Sequence, residues 1–141
     1  MGNSEECQLC DLSIHRLVYQ DDLCYAMVNL EPLKDYHLMV LPKRHVTRLQ
    51  DLKAKESQAI LKLLGRLGKV MPEIYSEDPV IFMNLGKHSS QPHIHFHILP
   101  SKGSLRDLFA SYEKIPYRKQ GTTQSFKKIA DIVKQRLKNM V

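Results

Sequence analysis

The densest chemistry in this sequence lies in Gln91-Pro92-His93-Ile94-His95-Phe96-His97-Ile98-Leu99-Pro100. Successive side chains of a strand point to opposite faces, so His93, His95 and His97 share one face and Ile94, Phe96 and Ile98 the other. Alternate residues lie roughly 7 Å apart, which makes a row of imidazoles whose reverse side packs on the core. Threonine or lysine would serve a merely wet face equally well, so three histidines in strict alternation point to chemistry. Two chemistries suit the row. It could offer imidazoles to a catalytic metal with an open position. Alternatively, one histidine could attack phosphorus covalently while its neighbours handle protons and phosphate oxygens. An ordinary pKa of about 6.5 leaves most imidazole neutral at pH 7, as a nucleophile requires.

A second signal is Cys7-Gln8-Leu9-Cys10, a C-x-x-C pair whose thiolates can take neighbouring corners of a zinc tetrahedron. A thioredoxin-like redox reading lacks the strand before it and the helix after it. Cys24 sits in an apolar run and reads as buried core, while His15 and His88 read as surface residues. The N-terminus carries neither a basic n-region nor an apolar h-region, and three cysteines cannot all pair. Both features predict a reducing, cytoplasmic setting.

The elements that must position these groups follow from periodicity. Residues 23–28 and 36–41 read as neighbouring antiparallel strands, the second stopping at Pro42. Ile60, Leu63, Leu64, Leu67, Met71 and Ile74 recur at spacings of three and four, predicting one amphipathic helix over about 52–75, weakened late by Gly65, Gly68 and Pro72. A strand over 80–84, a polar loop over 86–91 and the histidine strand over 92–99 follow. Ser104 and Asp107 resemble a capping box ahead of a short helix. Thr122 or Thr123 caps a last helix with an apolar face of Phe126, Ile129, Ala130, Val133 and Leu137. Lys127, Lys128, Lys134, Arg136 and Lys138 occupy its other face. The order predicts an α+β fold with a largely antiparallel sheet, one long helix and C-terminal helices. Residues 1–112 form the expected catalytic domain, and 113–141 a basic helical extension packed on it.

Composition bounds the partners. The 141 residues are 43% hydrophobic and 26% charged, which is globular. No apolar run reaches the ~18–20 residues of a membrane span. A net charge of +6 favours anionic partners such as nucleotides, nucleic acid or an acidic surface.

His-Ile-His-Phe-His-Ile-Leu resembles the histidine-triad (HIT) pattern of alternating histidines and apolar residues at every position. The resemblance extends upstream through Asn29, His37 in YHLMVLPKRH and Asn84 in FMNLG, covering roughly residues 7–100. It implies nucleotidyl hydrolases or transferases that cleave at an α-phosphate through a covalent nucleotidyl-histidine and mostly act as homodimers. Carried over residue by residue, His95 is the nucleophile and His97 contacts the phosphate and assists the leaving group. His37 completes the hydrogen-bond network, Asn29 faces the ribose and Asn84 the phosphate. The loop before the triad departs from the family's Gly-Gln-Ser/Thr. Ser89 and Ser90 stand in its last two positions, Ser90 aligns with the leaving-group donor, and Gln91 could reach back in its place. The resemblance also joins His45 and His93 to Cys7 and Cys10 in a closed, structural zinc site. No organic cofactor is implied.

The expected substrate is therefore a purine nucleotide conjugate, either a dinucleoside polyphosphate or a nucleoside phosphoramidate. Two rivals stand beside this reading: a nucleotide- or nucleic-acid-binding module that only grips phosphate, and a zinc hydrolase with the triad as ligands. Arginine and lysine grip phosphate better than neutral histidines do, and the C-x-x-C already supplies a place for zinc. Both points favour the nucleophile. No membrane partner is expected, and nothing in the motifs singles out nucleic acid.

Overall fold

The structure, a computed structural model, describes residues 7–10, 16–84, 92–113 and 122–139. Contacts divide the chain into two units, Met1–Leu105 and Arg106–Val141. The first unit holds β1 (Leu17–Gln20), β2 (Cys24–Val28), β3 (Leu38–Pro42), α1 (Ala54–Ile74), β4 (Pro79–Phe82) and β5 (Phe96–Pro100). The second holds α3 (Thr123–Lys138) and nearly all of α2 (Leu105–Glu113). The five strands form one sheet in the order β1-β2-β3-β5-β4, with every neighbouring pair antiparallel. This is the expected α+β architecture. Among the described residues no helix is long and apolar enough to cross a membrane.

Both sheet faces are covered, which explains why β2 and β3 are apolar almost throughout. Ile60, Leu63, Leu64, Leu67 and Met71 of α1 pack against Cys24, Ala26, Leu38, Val40 and Ile98 on one face. Cys24 is fully buried there, as its apolar run predicts. Cys7 and Leu9, from the N-terminal turn, pack against Tyr25, Met27, Met39 and Leu41 on the other. The N-terminal segment thus lies on the face that carries His97, the register partner of Met39.

Several expectations change. β1 is not predicted; it pairs with β2 through a hairpin closed by Asp21, whose Oδ1 accepts the Leu23 and Cys24 N–H groups at 2.8 Å each. The histidine strand was expected from Pro92 but begins at Phe96. Ile94 N–H instead donates to the Val46 carbonyl (2.7 Å), which draws His93 and His95 off the ladder. The strand before Pro42 begins at Leu38 and includes Pro42, whose carbonyl is used as an acceptor by the His93 ring. α1 runs through Pro72, which removes one late helical bond while Leu67 and Met71 stay buried. Ile74 falls outside the core and is exposed. In the second unit, Ser125 N–H donates to Thr122 Oγ1 and Thr122 N–H to Ser125 Oγ, both at 3.1 Å, so Thr122 caps α3. Phe126, Ile129 and Val133 are exposed on that helix.

Candidate active site and metal centre

The stretch after Pro92 divides its histidines between two clusters. Fully buried His93 donates from Nε2 to the Pro42 carbonyl at 2.7 Å. That bond leaves the Nδ1 lone pair facing Cys7 Sγ at 3.6 Å and Cys10 Sγ at 3.4 Å. Cys10 Sγ also lies 3.3 Å from His45 Nδ1, and one donor atom from each of the four residues falls within 4.8 Å of the others. Ligands at zinc–sulfur and zinc–nitrogen bond lengths around a tetrahedron are separated by ~3.3–3.8 Å, so these contacts match its edges. The donor set therefore fits a structural zinc: two thiols, two imidazoles and no position for a reacting water. Burial, then the neighbouring Cys7, pushes the Cys10 thiol up to about 11. A divalent cation between the thiols would reverse that penalty.

His45 is carried by the loop after β3, and that loop is pinned to the start of α1. Arg44 grips Glu56 bidentately, through Nε at 2.7 Å and a terminal nitrogen at 2.8 Å, and also donates to the Asp51 carbonyl. Glu56 is buried and accepts the Lys53 N–H at 2.8 Å. Arg44 above all holds the Glu56 carboxyl down to about 2.

His37, His95 and His97 meet at a cavity of about 370 Å³, together with Asn29 and Asn84. Backbone partners of His37 and His95, and the His37 ring for His97, assign the tautomer of each ring. Leu33 N–H donates to His37 Nδ1 at 3.1 Å, so the neutral His37 proton sits on Nε2. It donates to His97 Nδ1 at 2.9 Å, which leaves the His97 proton on Nε2. His95 donates from Nδ1 to the His93 carbonyl at 2.8 Å, so its Nε2 carries a free lone pair. The rings of His95 and His97 are 4.8 Å apart at 73°. One lone pair and one N–H therefore belong to two neighbouring rings that both line the cavity. Burial chiefly, then the neighbouring imidazoles, pushes His97 down to about 4 and lowers His37. Both rings stay neutral at pH 7.

The loop over 29–37 is built around the same rings. Asn29 Oδ1 accepts the Glu31 N–H at 3.0 Å, which turns its amide nitrogen toward His37 Nε2 and His97 Nδ1, each at 3.5 Å. Asn29 N–H donates to the His37 carbonyl at 2.9 Å. Tyr36 reaches His37 through a left-handed backbone (φ 65°), an outlier for a bulky side chain, and its ring packs on Tyr75 at 5.1 Å. Ser89, Ser90 and Gln91, with His15 and His88, lie outside the described residues. Gln8, Leu9, Arg16, Leu30, Glu31, Leu33, Met39 and Phe82 also line the cavity, and the sequence does not single them out. Leu30 and Leu33 flank the Asn29 turn, and Gln8 and Leu9 lie between the two cysteines, so chain position alone could have flagged them.

Acid is expected to weaken this fold in two steps. His97, and His37 with it, take up protons more readily when unfolded, because His97 has an ordinary value of 6.5 and about 4 in the fold. Stability is thus full above pH 6.5 and falls as pH drops toward 4. The Glu56 contribution is present above its ordinary 4.5 and is lost toward about 2. Urea midpoints measured from pH 7.5 downward check both steps, and Glu56→Gln should remove the lower one. Flat midpoints between pH 7 and 4 would contradict the buried neutral imidazoles.

The HIT domain family model matches residues 13–104, more than half of the chain. The bifunctional bis(5'-adenosyl)-triphosphatase/adenylylsulfatase of Arabidopsis thaliana is 36% identical over 88 residues, covering 60% of this chain and 49% of that protein. The bis(5'-adenosyl)-triphosphatase of Dictyostelium discoideum is 34% identical over 89 residues, covering 61% and 60%. The chain thus spans about half to three fifths of these relatives' lengths. The histidine triad nucleotide-binding protein of Candida albicans superposes with a TM-score of 0.73 at 19% identity, covering 96% of this chain and 100% of that one. A HIT family protein from Bacillus anthracis gives 0.73 at 15%, covering 97% and 99%. These two likenesses concern the fold. Taken with an antiparallel sheet that brings His37, His95 and His97 to one cavity, the matched stretch places the chain in the HIT domain family.

Proposed function

We propose that this protein hydrolyses dinucleoside polyphosphates, or less readily nucleoside phosphoramidates, by transferring a purine nucleotide to His95. The observation that carries this reading is the lone pair on His95 Nε2 beside the His97 Nε2–H. His95 Nε2 bonds to the α-phosphorus as the bond to the leaving atom breaks, the electron pair departing with a polyphosphate oxygen or, in a phosphoramidate, with a nitrogen that takes up a proton from solvent. The His95 ring becomes cationic, and the His93 carbonyl, accepting from Nδ1, stabilises that charge. His97 donates to a phosphate oxygen. Water then cleaves the nitrogen–phosphorus bond, leaving its oxygen on the nucleoside monophosphate and one proton in solvent. Hydrolysis and transfer to another acceptor share the first step.

The catalytic-metal alternative is disfavoured because His93 is turned to the thiols and away from His95 and His97. Zinc, held by Cys7, Cys10, His45 and His93, would supply a crosslink and no chemistry. The protein acts as a cytoplasmic homodimer on this reading, and residues 113–141 form a basic extension of the catalytic domain 1–112. Asn29, Asn84, Ser89, Ser90 and Gln91 contact substrate. The relatives named as bis(5'-adenosyl)-triphosphatases favour an anionic polyphosphate leaving group.

Chromatography of reactions with diadenosine triphosphate and with adenosine phosphoramidate tests this. Adenosine monophosphate is expected from both, with the diphosphate as co-product of the first and the first turned over faster. Release of no monophosphate from either would refute the proposal.

A further inference from the structure

We propose that Phe82 is a positioning residue for His97, holding its imidazole in the plane that directs Nε2–H into the cavity. The inference rests on the reading of His97 as a phosphate contact. Phe82 and His97 are register partners across the β4–β5 pair, so their side chains leave the same face of the sheet. Their rings stack with centroids 4.9 Å apart and planes inclined by 18°. The same phenyl ring lies 6.4 Å from His37 at 44°, and it lines the cavity. It belongs to neither apolar cluster of the first unit, so filling the core does not explain it.

His97 needs such a wall. Its hydrogen-bond partners, His37 at 2.9 Å and the Asn29 amide at 3.5 Å, both meet the ring at Nδ1, so they fix which edge faces inward but not the tilt about that atom. A ring stacked on the imidazole face removes the remaining freedom, and aromatic pairs favour this near-parallel offset arrangement. With His95 edge-on nearby at 4.8 Å, the His97 ring is bounded by Phe82, His37 and His95. A leucine or methionine would occupy the space without fixing a plane.

The test compares Phe82→Leu, Phe82→Met and Phe82→Tyr with His97→Ala, using diadenosine triphosphate. Misplaced supporting groups commonly cost about 10–100-fold. Phe82→Leu or, should it fail to fold, Phe82→Met is expected to lower kcat by about that factor. KM and the Kd for adenosine monophosphate should stay within about threefold. Phe82→Tyr, which keeps the ring, should recover most of kcat. Nitrogen NMR of the imidazoles should report a single Nε2–H form for His97 in the wild type and the tyrosine variant, and exchange between forms in the aliphatic ones. A kcat near wild type in the aliphatic variants, an equal loss in Phe82→Tyr, or an unchanged His97 spectrum would overturn the proposal. His97→Ala separates the two readings. If it is inactive while Phe82→Leu is normal, only the positioning role fails. If it is active, the reading of His97 itself fails.

Discussion

Replacing His95 with alanine is expected to lower kcat for diadenosine triphosphate by at least a thousandfold, or about 4 kcal/mol of barrier. The Kd for adenosine monophosphate should remain within about threefold. The contrast follows from the division of labour in the cavity. His95 Nε2 presents the lone pair, whereas His37, His97, Asn29 and Asn84 form the walls around it. Removing the attacking atom eliminates the covalent route and leaves most binding contacts in place. The His95 ring also donates to the His93 carbonyl, a bond that alanine vacates at a half-buried position lining the cavity, outside both apolar clusters. Steady-state kinetics with calorimetric binding distinguishes the outcomes. A variant retaining more than about a tenth of wild-type turnover has lost under ~1.4 kcal/mol of barrier, too little for a covalent nucleophile.

If the four-residue cluster holds zinc, Cys7→Ser is expected to abolish that binding and to melt about 10 °C below the wild type. That shift corresponds to roughly 2–3 kcal/mol for a domain of this size. Cys7 is buried against the sheet face formed by Tyr25, Met27, Met39 and Leu41. Its thiol groups with Cys10 from the same turn, His45 after β3 and His93 before β5. A metal there joins three segments distant in sequence, so part of its binding free energy becomes folding free energy. The chemistry should suffer less than the fold, by about 10–100-fold in molecules that stay folded, because His93 also steadies His95 through its carbonyl. Elemental analysis and thermal melts at matched zinc content check this. An unchanged melting temperature, or retained zinc in a Cys7/Cys10 double serine variant, would contradict it. A chelator that stopped turnover before any loss of structure would move the metal into the chemistry.

Period-2 spacing assigns the strand portion to the correct faces: Ile98 joins the helix-side core while His97 pairs with Met39 on the other side. It overextends the strand, because nothing in the spacing reveals that Ile94 bonds to Val46 or that His93 turns to the cysteines. The 3.6-residue stripe gives α1 and its buried residues, yet it includes Ile74, which is exposed while the adjacent Tyr75 packs on the core instead. β1 escapes notice because four residues carry little periodicity; only the Asp21-Asp22 turn after them marks a hairpin. At the site, His37, Asn29 and Asn84 are legible from motif position and do line the cavity. The His37–His97 bond and the Phe82 stack are tertiary, arising from the pairing of β5 with β3 and β4, and no local pattern encodes them. Tyr36 shows the same limit, since residue type argues against the positive φ that brings His37 into place.

The stereochemical course at the α-phosphorus tests the covalent account most directly. The substrate is a diadenosine triphosphate carrying one sulfur on that phosphorus in a single configuration, hydrolysed in heavy-oxygen water. Attack by His95 Nε2 inverts the phosphorus and attack by water on the adduct inverts it again. The account predicts net retention in the product thiomonophosphate. Net inversion would mean that water attacks the substrate in one step, and His95 would then not be the nucleophile.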